Sequence, residues 1–373
     1  MTTYVSASSI RGPVGLVDSE MSAQAFAELV ARVRADFDTT FTWDYDRSRD
    51  GLRRLYEKAK RAQWNVSDDL DWSIDVDPER LVHLQAEETG VPPGYPARAL
   101  AELDNSPVSS WSEDQWVEFA VHSQCTSLSQ FLHGEQGALL CTARLVEAVP
   151  WIDAKYYGAT QVVDEARHVE AFSRYLDEKM PTTYPINDNL RSLIDQILGD
   201  SRWDIVYLGM QVVIEGLALA AFGLMLGTTR EPLLKELIRY VMADEARHVA
   251  FGILSLQEVY RDLSGDELRE RQEFAYEACE HMRRRTLNAE LWPAFGVSNA
   301  EVKAMLPRTR SQQRLQHLLF SKIVPNCKKL GLLDHRDGWL RDRFTEMGII
   351  QYEDWSIDAE ELTIDSAIAA EST

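Results

Sequence analysis

Five residues occur twice in this chain. Asp164-Glu165-Ala166-Arg167-His168 recurs, residue for residue, as Asp244-Glu245-Ala246-Arg247-His248, an offset of 80 positions. Thirty positions before the glutamate of each copy stands another glutamate in apolar surroundings, Glu135 before Glu165 and Glu215 before Glu245. Carboxylates and imidazoles together are ligands for divalent metals, and in each Glu-x-x-His the two side chains share one helix face. Four glutamates in an apolar core would cost many kcal/mol unless protonated or neutralised by cations. Two divalent ions remove that cost. About three protein groups per ion leave coordination positions open, which suits Fe(II) or Mn(II) better than structural zinc with its closed tetrahedron. A single Glu-x-x-His is common on solvated helix faces. Two identical copies, each with a matched glutamate at the same offset, form a specific signal.

The spacing of thirty also says what must hold these groups. The midpoint between Glu135 and Glu165 is Pro150, in the breaker Val149-Pro150-Trp151; the midpoint between Glu215 and Glu245 is Arg230, just before Glu231-Pro232. Each pair therefore lies at equal distance from its own turn, roughly 22 Å down two antiparallel helices. Two such hairpins bring four glutamates to one level of a bundle. Ser112 is placed to cap a helix running to Ala148, followed by helices over 151–179, 203–226 and 231–263. Further helices are expected at 20–38, 47–63, 188–199, 265–287 and 311–330. No segment alternates with a period of two, so the class is all-α. The division expected is an N-terminal arm and helical extension (1–110), the four-helix bundle (111–263), C-terminal helices packed on it (264–350) and an acidic, disordered tail (351–373).

The formal charge of −21 argues against nucleic acid and against an anionic membrane surface as partners. Seven acids and no base in 351–373 supply a third of it. Cys125, Cys141, Cys279 and Cys327 form no C-x-x-C pair, which excludes a zinc knuckle or iron–sulfur cluster and reads as reduced, buried thiols of a cytoplasmic protein. The N-terminus lacks the pattern of a signal peptide. Met210 to Leu226 is almost wholly apolar, but Gln211 and Glu215 interrupt it, as suits the centre of a large bundle rather than a membrane span. The basic segment 47–63, followed by an aspartate-rich stretch and flanked by Trp64 and Trp72, reads as a solvated helix packed by its tryptophans.

The ligand pattern resembles that of ferritin-like carboxylate proteins, in which two helices each give a Glu and two others each give a Glu-x-x-His. Over 112–262 the doubled Glu-x28-Asp-Glu-x-Arg-His arrangement is most similar to the hydroxylase subunits of bacterial multicomponent monooxygenases. That resemblance implies a ferritin-like four-helix bundle with Glu135, Glu165 and His168 on one iron and Glu215, Glu245 and His248 on the other. Manganese is an alternative at one position. Asp164 and Asp244 would accept the second ring N–H of a histidine, with Arg167 and Arg247 paired to those aspartates. The remaining histidines, among them His83, His122, His133, His281, His317 and His335, lack ligand-like spacing and are assigned structural roles.

Three positions depart from related patterns. Phe172 stands where radical-generating reductase subunits carry a tyrosine. Leu219 replaces the threonine of the multicomponent hydroxylases. Val241 and Gln161 stand where an arylamine N-oxygenase would place its extra histidine. Residues one turn from the expected ligands (Leu139, Phe172, Val212, Leu219, Phe222, Val241, Met242, Val249) are apolar and could wall a hydrophobic site or simply pack the bundle. The function expected is that of an O2-dependent, non-haem di-iron monooxygenase hydroxylating or N-oxygenating a small apolar or aromatic substrate. No residue beyond the six is assigned a catalytic role. A ferroxidase or iron-storage protein and a dedicated arylamine N-oxygenase are the alternatives. With no dinucleotide fingerprint and no cysteine cluster, electrons would come from an external ferredoxin or flavin reductase, and the family resemblance admits a homodimer.

Overall fold

The computed structural model describes residues 31–284, 291–305 and 319–355, and among these there are helices and turns but no strand. The helices are α1 (Asp50–Arg61), α2 (Pro78–Thr89), α3 (Glu113–Ala148), α4 (Ile152–Lys179), α5 (Asp188–Gly199), α6 (Trp203–Thr228), α7 (Pro232–Tyr260), α8 (Gly265–Arg284), α9 (Asn299–Met305), α10 (Ile323–Lys329) and α11 (Trp339–Glu346).

The bundle is the pair of hairpins α3–α4 and α6–α7. Local chemistry fixes both ends of each. Ser112 and Gln115 close a capping box at the start of α3, with Ser112 N–H on Gln115 Oε1 at 3.0 Å and Gln115 N–H on Ser112 Oγ at 3.3 Å. Val149 and Trp151 are extended, so Pro150 turns the chain between α3 and α4. Glu231 caps α7, its carboxylate accepting from Leu233 N–H at 2.7 Å and from Leu234 N–H, and Pro232 sits at the first helical position, where a missing N–H costs nothing. Tyr175 of α4 donates to the same carboxylate at 3.0 Å and ties the two hairpins together. α5 crosses between the hairpins, capped by Asn187.

α6 is apolar enough and long enough to cross a membrane, yet 83% of its most apolar stretch is buried inside the protein. It is a core helix. Its middle is not regular: Leu208–Ile214 forms a π-helical turn, ending immediately before Glu215. Such turns insert about one extra residue into an α-helix and often occur at functional sites.

Several expectations are corrected. Residues 31–38 are not helical, and 20–30 lie outside the described residues. The chain before α1 is an irregular strap, tied down over 40–49 by tertiary partners: Thr40 N–H donates to Glu147 O at 3.2 Å, Arg47 pairs with Asp153 at 2.8 Å and Arg49 with Glu258 at 2.9 Å. α2 was not foreseen, although Asp77 capping Pro78 is a recognisable start signal, with Arg80 N–H on Asp77 Oδ1 at 3.0 Å. Beyond it Gly94 takes φ +81, and a Cβ there would meet Trp116 at 2.4 Å, so no larger residue fits. The helix expected over 265–287 is described to Arg284. Of 311–330, positions 311–318 fall outside the described residues, and a 3-10 turn (Leu319–Ser321) followed by α10 takes up the rest. The tail is not loose throughout. Tyr352 is buried, and Glu353 pairs with Arg341 at 2.9 Å and Lys328 at 3.2 Å; 356–373 lie outside the described residues. All four cysteines are buried and free.

Candidate metal centre

α3 contributes Glu135, α4 Glu165 and His168, α6 Glu215, and α7 Glu245 and His248. All six are at most 5% exposed. Their ligand atoms fall into two overlapping groups, each within 4.8 Å: Glu135, Glu165, His168 and Glu245 in one, Glu165, Glu215 and His248 in the other. His168 Nδ1 lies 3.1 Å from Glu135 Oε2, 3.5 Å from Glu165 Oε2 and 3.2 Å from Glu245 Oε1. His248 Nδ1 lies 3.2 Å from Glu165 Oε1 and 3.5 Å from Glu245 Oε2. Glu165 and Glu245 therefore each present one oxygen to each histidine. Glu165 and Glu245 thus lie in the middle, between the two histidines, with Glu135 on the His168 side and Glu215 on the His248 side.

The outer nitrogens are held crosswise. His168 Nε2 is 3.2 Å from Asp244 Oδ2, and His248 Nε2 is 3.3 Å from Asp164 Oδ2, so the aspartate of each five-residue copy serves the histidine of the other. Arg167 donates to Asp164 and also reaches Asp244 at 3.4 Å, while Arg247 donates to Asp244. An aspartate accepting Nε2–H leaves the Nδ1 lone pair facing inward, the orientation a metal-binding imidazole needs.

The electrostatics show what the cluster lacks. Burial, reinforced by the Glu245 charge, pushes Glu135 up to about 8. Burial and the charges of Glu245 and Glu165 push Glu215 well above the carboxylate range. Burial opposes charge on His168, yet Glu135 and the hydrogen bond to Asp244 hold it well above the ordinary imidazole value. His248 is raised against burial by Glu165 and Glu245. Glu245 goes the other way, down to about 2, because the two histidines outweigh its burial. The site is thus an excess of carboxylate that demands positive charge. Glu165 Oε2, Glu215 Oε2, both Glu245 oxygens and His248 Nδ1 have no hydrogen-bond partner among the described residues. Inward-facing oxygens and an imidazole nitrogen, buried and unpaired, fit a pair of divalent cations.

Three contacts here were not legible in advance. Trp64 Nε1 donates to Asp244 Oδ2 at 2.8 Å, and its ring stacks on Tyr240 at 4.9 Å and on His168 at 6.4 Å. The tryptophan expected to pack a solvated helix instead closes the His168 side of the site. Gln161 Nε2 donates to Glu165 Oε1 at 2.8 Å and Glu215 Oε1 at 3.1 Å. Gln211 Nε2 donates to the same Glu215 oxygen at 3.3 Å.

A cavity of about 420 Å3 opens onto the carboxylates of Glu135, Glu215 and Glu245. Its wall is mainly apolar, with Phe131, Ala138, Ile214, Leu217, Ala221 and Leu224 among the residues nearest the bundle, and α2 with the Val91–Ala97 segment covering it. None of the eight apolar residues expected as a wall lines it. Phe172 stacks on Phe222 and both meet Phe131 at a tilt, Val212, Leu219, Val241, Met242 and Val249 are buried in the bundle, and Leu139 is half-buried; the cavity opens on the α3–α6 flank. Among the other histidines, His122 Nδ1 meets Tyr184 Oη at 2.8 Å and His133 Nε2 meets Tyr184 O at 2.9 Å, away from the cluster.

No family model and no curated protein matches the chain. Among solved structures, a variant of an R2-like ligand-binding oxidase with an anaerobically reconstituted Mn/Fe cofactor is 20% identical over 77% of this chain and 95% of that chain, with a TM-score of 0.45. An R2-like ligand-binding oxidase with an aerobically reconstituted Mn/Fe cofactor is 19% identical over 77% and 94%, also with a TM-score of 0.45. The site itself is defined by this chain's own residues.

Proposed function

We propose that the chain is an O2-dependent oxidoreductase holding two metal ions, iron at both positions or manganese at one, and that it oxygenates a small apolar or aromatic substrate. The observation that carries this reading is the apolar cavity opening directly onto Glu135, Glu215 and Glu245. A storage protein needs an acidic route for iron. A protein using metal only for folding has no use for a chamber beside open coordination positions.

The cluster would hold one ion among Glu135, Glu165, His168 and Glu245 and the other among Glu165, Glu215, His248 and Glu245. When bound, a reduced metal pair would supply the redox chemistry that O2 needs. The chain's own residues do the rest. Asp164 and Asp244 fix the imidazoles. Gln161 and Gln211 hold Glu215 Oε1 from two sides. The cavity wall excludes bulk water and leaves room for a guest against the carboxylates. Hydroxylation and N-oxygenation are both compatible with such a chamber, and the reductant is an external ferredoxin or flavin reductase.

The test is elemental analysis of anaerobically iron-loaded protein beside Glu215→Ala, followed by exposure of the reduced protein to O2. About two metal ions per chain, falling in the variant, and an optical change on adding O2 are expected. Accumulation of many iron ions per chain would replace this reading with storage, and none in a folded protein would remove the metal altogether.

A further inference from the structure

Two of the four glutamates, Glu165 on α4 and Glu215 on α6, carry a shared prefix. Tyr157, Gln161 and Glu165 are spaced by four on α4, and Tyr207, Gln211 and Glu215 are spaced by four on α6, with Gln-Val-Val common to both. The two columns converge, since both carboxamides donate to Glu215 Oε1. Those contacts fix the orientation of each amide. A carboxylate accepts only from the NH2 side, so each Oε1 must face away from the metal cluster.

Both Oε1 atoms are buried and have no hydrogen-bond partner among the described residues, and the same holds for Tyr157 Oη, Tyr207 Oη, Ser255 Oγ and Tyr260 Oη. Gln161, Gln211, Tyr157 and Tyr207 are wholly buried, Ser255 is 1% exposed and Tyr260 5%. Their order along the bundle is consistent. Gly252 of α7 faces Gln211: a Cβ at 252 would lie 2.5 Å from Gln211 Cβ. One turn further, Ser255 stands beside the Tyr207 phenol without the geometry of a hydrogen bond. Tyr157 and Tyr207 both pack on Phe251, at 4.4 and 5.1 Å. Tyr260 and the Asp204–Arg271 pair mark the end of the bundle, where Arg202 is exposed. From Glu215 to that end is roughly 16 Å of helix.

Buried polar groups in folded proteins find partners, and where protein supplies none, internal water does. We infer that a file of water molecules threads α4, α6 and α7 from Tyr260 past Ser255, Tyr207 and Tyr157 to Gln211 and Gln161, and conducts protons to the Glu215 side of the metal centre. The conducting role rests on the oxygenase reading. Insertion of one oxygen atom of O2 into a C–H bond takes two electrons from the external donor and two protons, and releases the other oxygen atom as water. Each hop along the file breaks one O–H bond and makes another, with no change of oxidation state. Hydroxyls and waters carry the proton, while the carboxamide oxygens only accept hydrogen bonds and hold waters in line. The arrangement separates traffic: the substrate cavity borders the C-terminal half of α6, and the file follows its N-terminal half.

Two measurements decide it. A high-resolution crystal structure of the metal-loaded protein should show ordered waters bonded to the two carboxamide oxygens and the hydroxyls; a dry, closed interior there would overturn the file. In single-turnover oxidation of the reduced, iron-loaded protein by O2, Tyr207→Phe combined with Ser255→Ala should slow the reaction by about tenfold or more. That variant should also alter the rate ratio between H2O and D2O, with metal content unchanged, since neither residue touches the cluster. An unaltered rate and isotope ratio in a variant with full metal content would overturn the conducting role. If the wild-type reduced protein does not react with O2, the oxygenase reading and the conducting role fall together, and the crystal structure still decides the file.

Discussion

Asp244 accepts from Trp64 Nε1, His168 Nε2 and Arg247, with Arg167 reaching it at 3.4 Å, and its hydrogen bonds and the neighbouring charges hold its carboxyl well below the usual range despite burial. An acceptor so placed orients the imidazole and makes it a better ligand. Asp244→Asn keeps the shape but replaces one acceptor oxygen with a donor, so metal affinity is expected to fall about 10–100-fold in a competition titration. Trp64→Phe leaves the carboxylate charged and removes one neutral donor, so its effect should be smaller in the same titration. Equal losses would show that the aspartate acts through packing alone. The six clustered groups were legible because a duplicated pentapeptide with matched glutamates is improbable without a shared task. Trp64 was not, since its partner lies 180 positions away and nothing in local spacing connects them. Which of the two roles the apolar residues near the ligands take was left open for a related reason: the sequence tells which residues lie one turn from a ligand, not which flank of the bundle opens.

Among the elements, α3, α4, α6 and α7 could be drawn to within two or three residues because breakers and caps bound each of them. The π-helical turn in α6 could not. Its residues, Leu208–Ile214, have ordinary helical patterning, and the extra residue is accommodated by packing rather than declared by a glycine–proline signal. The close crossing of α6 and α7 depends on Gly252. Alanine there would gain about 1 kcal/mol of helix propensity, but its Cβ would sit 2.5 Å from the Cβ of Gln211, a stiff atom on a buried helix. The crowding should win. Net destabilisation of about 1–2 kcal/mol is expected for Gly252→Ala in denaturant unfolding, and an increase in stability would mean that α6 and α7 part more easily than their packing implies.

At the scale of the whole molecule, the bundle encloses four carboxylates whose mutual repulsion bound cations would relieve. Ions that bind the folded chain and not the unfolded one stabilise it by mass action, about 2.7 kcal/mol per site at a hundredfold excess over Kd. For a chain of this size that corresponds to a rise in Tm of roughly 3–4 °C for one site. Anaerobic Fe(II) or Mn(II) should therefore raise the melting temperature and a chelator should reverse it, whereas Glu165→Ala, which removes a carboxylate shared by both positions, should abolish most of the rise. A Tm indifferent to metal would argue that the cluster is satisfied by protons.

The stretch from the strap through Trp64 packs on α4 and α7, with Trp64 against His168, yet two of its anchors come from far later in the chain: Arg49 waits for Glu258, 209 positions later, and Trp64 for Asp244, 180 positions later. At a synthesis rate of about 5–20 residues per second, the tryptophan leaves the ribosome roughly 10–35 seconds before the aspartate it will bond. A segment made well before its partners is thus among the last to be seated, and until α7 arrives the His168 side of the nascent bundle stays uncovered.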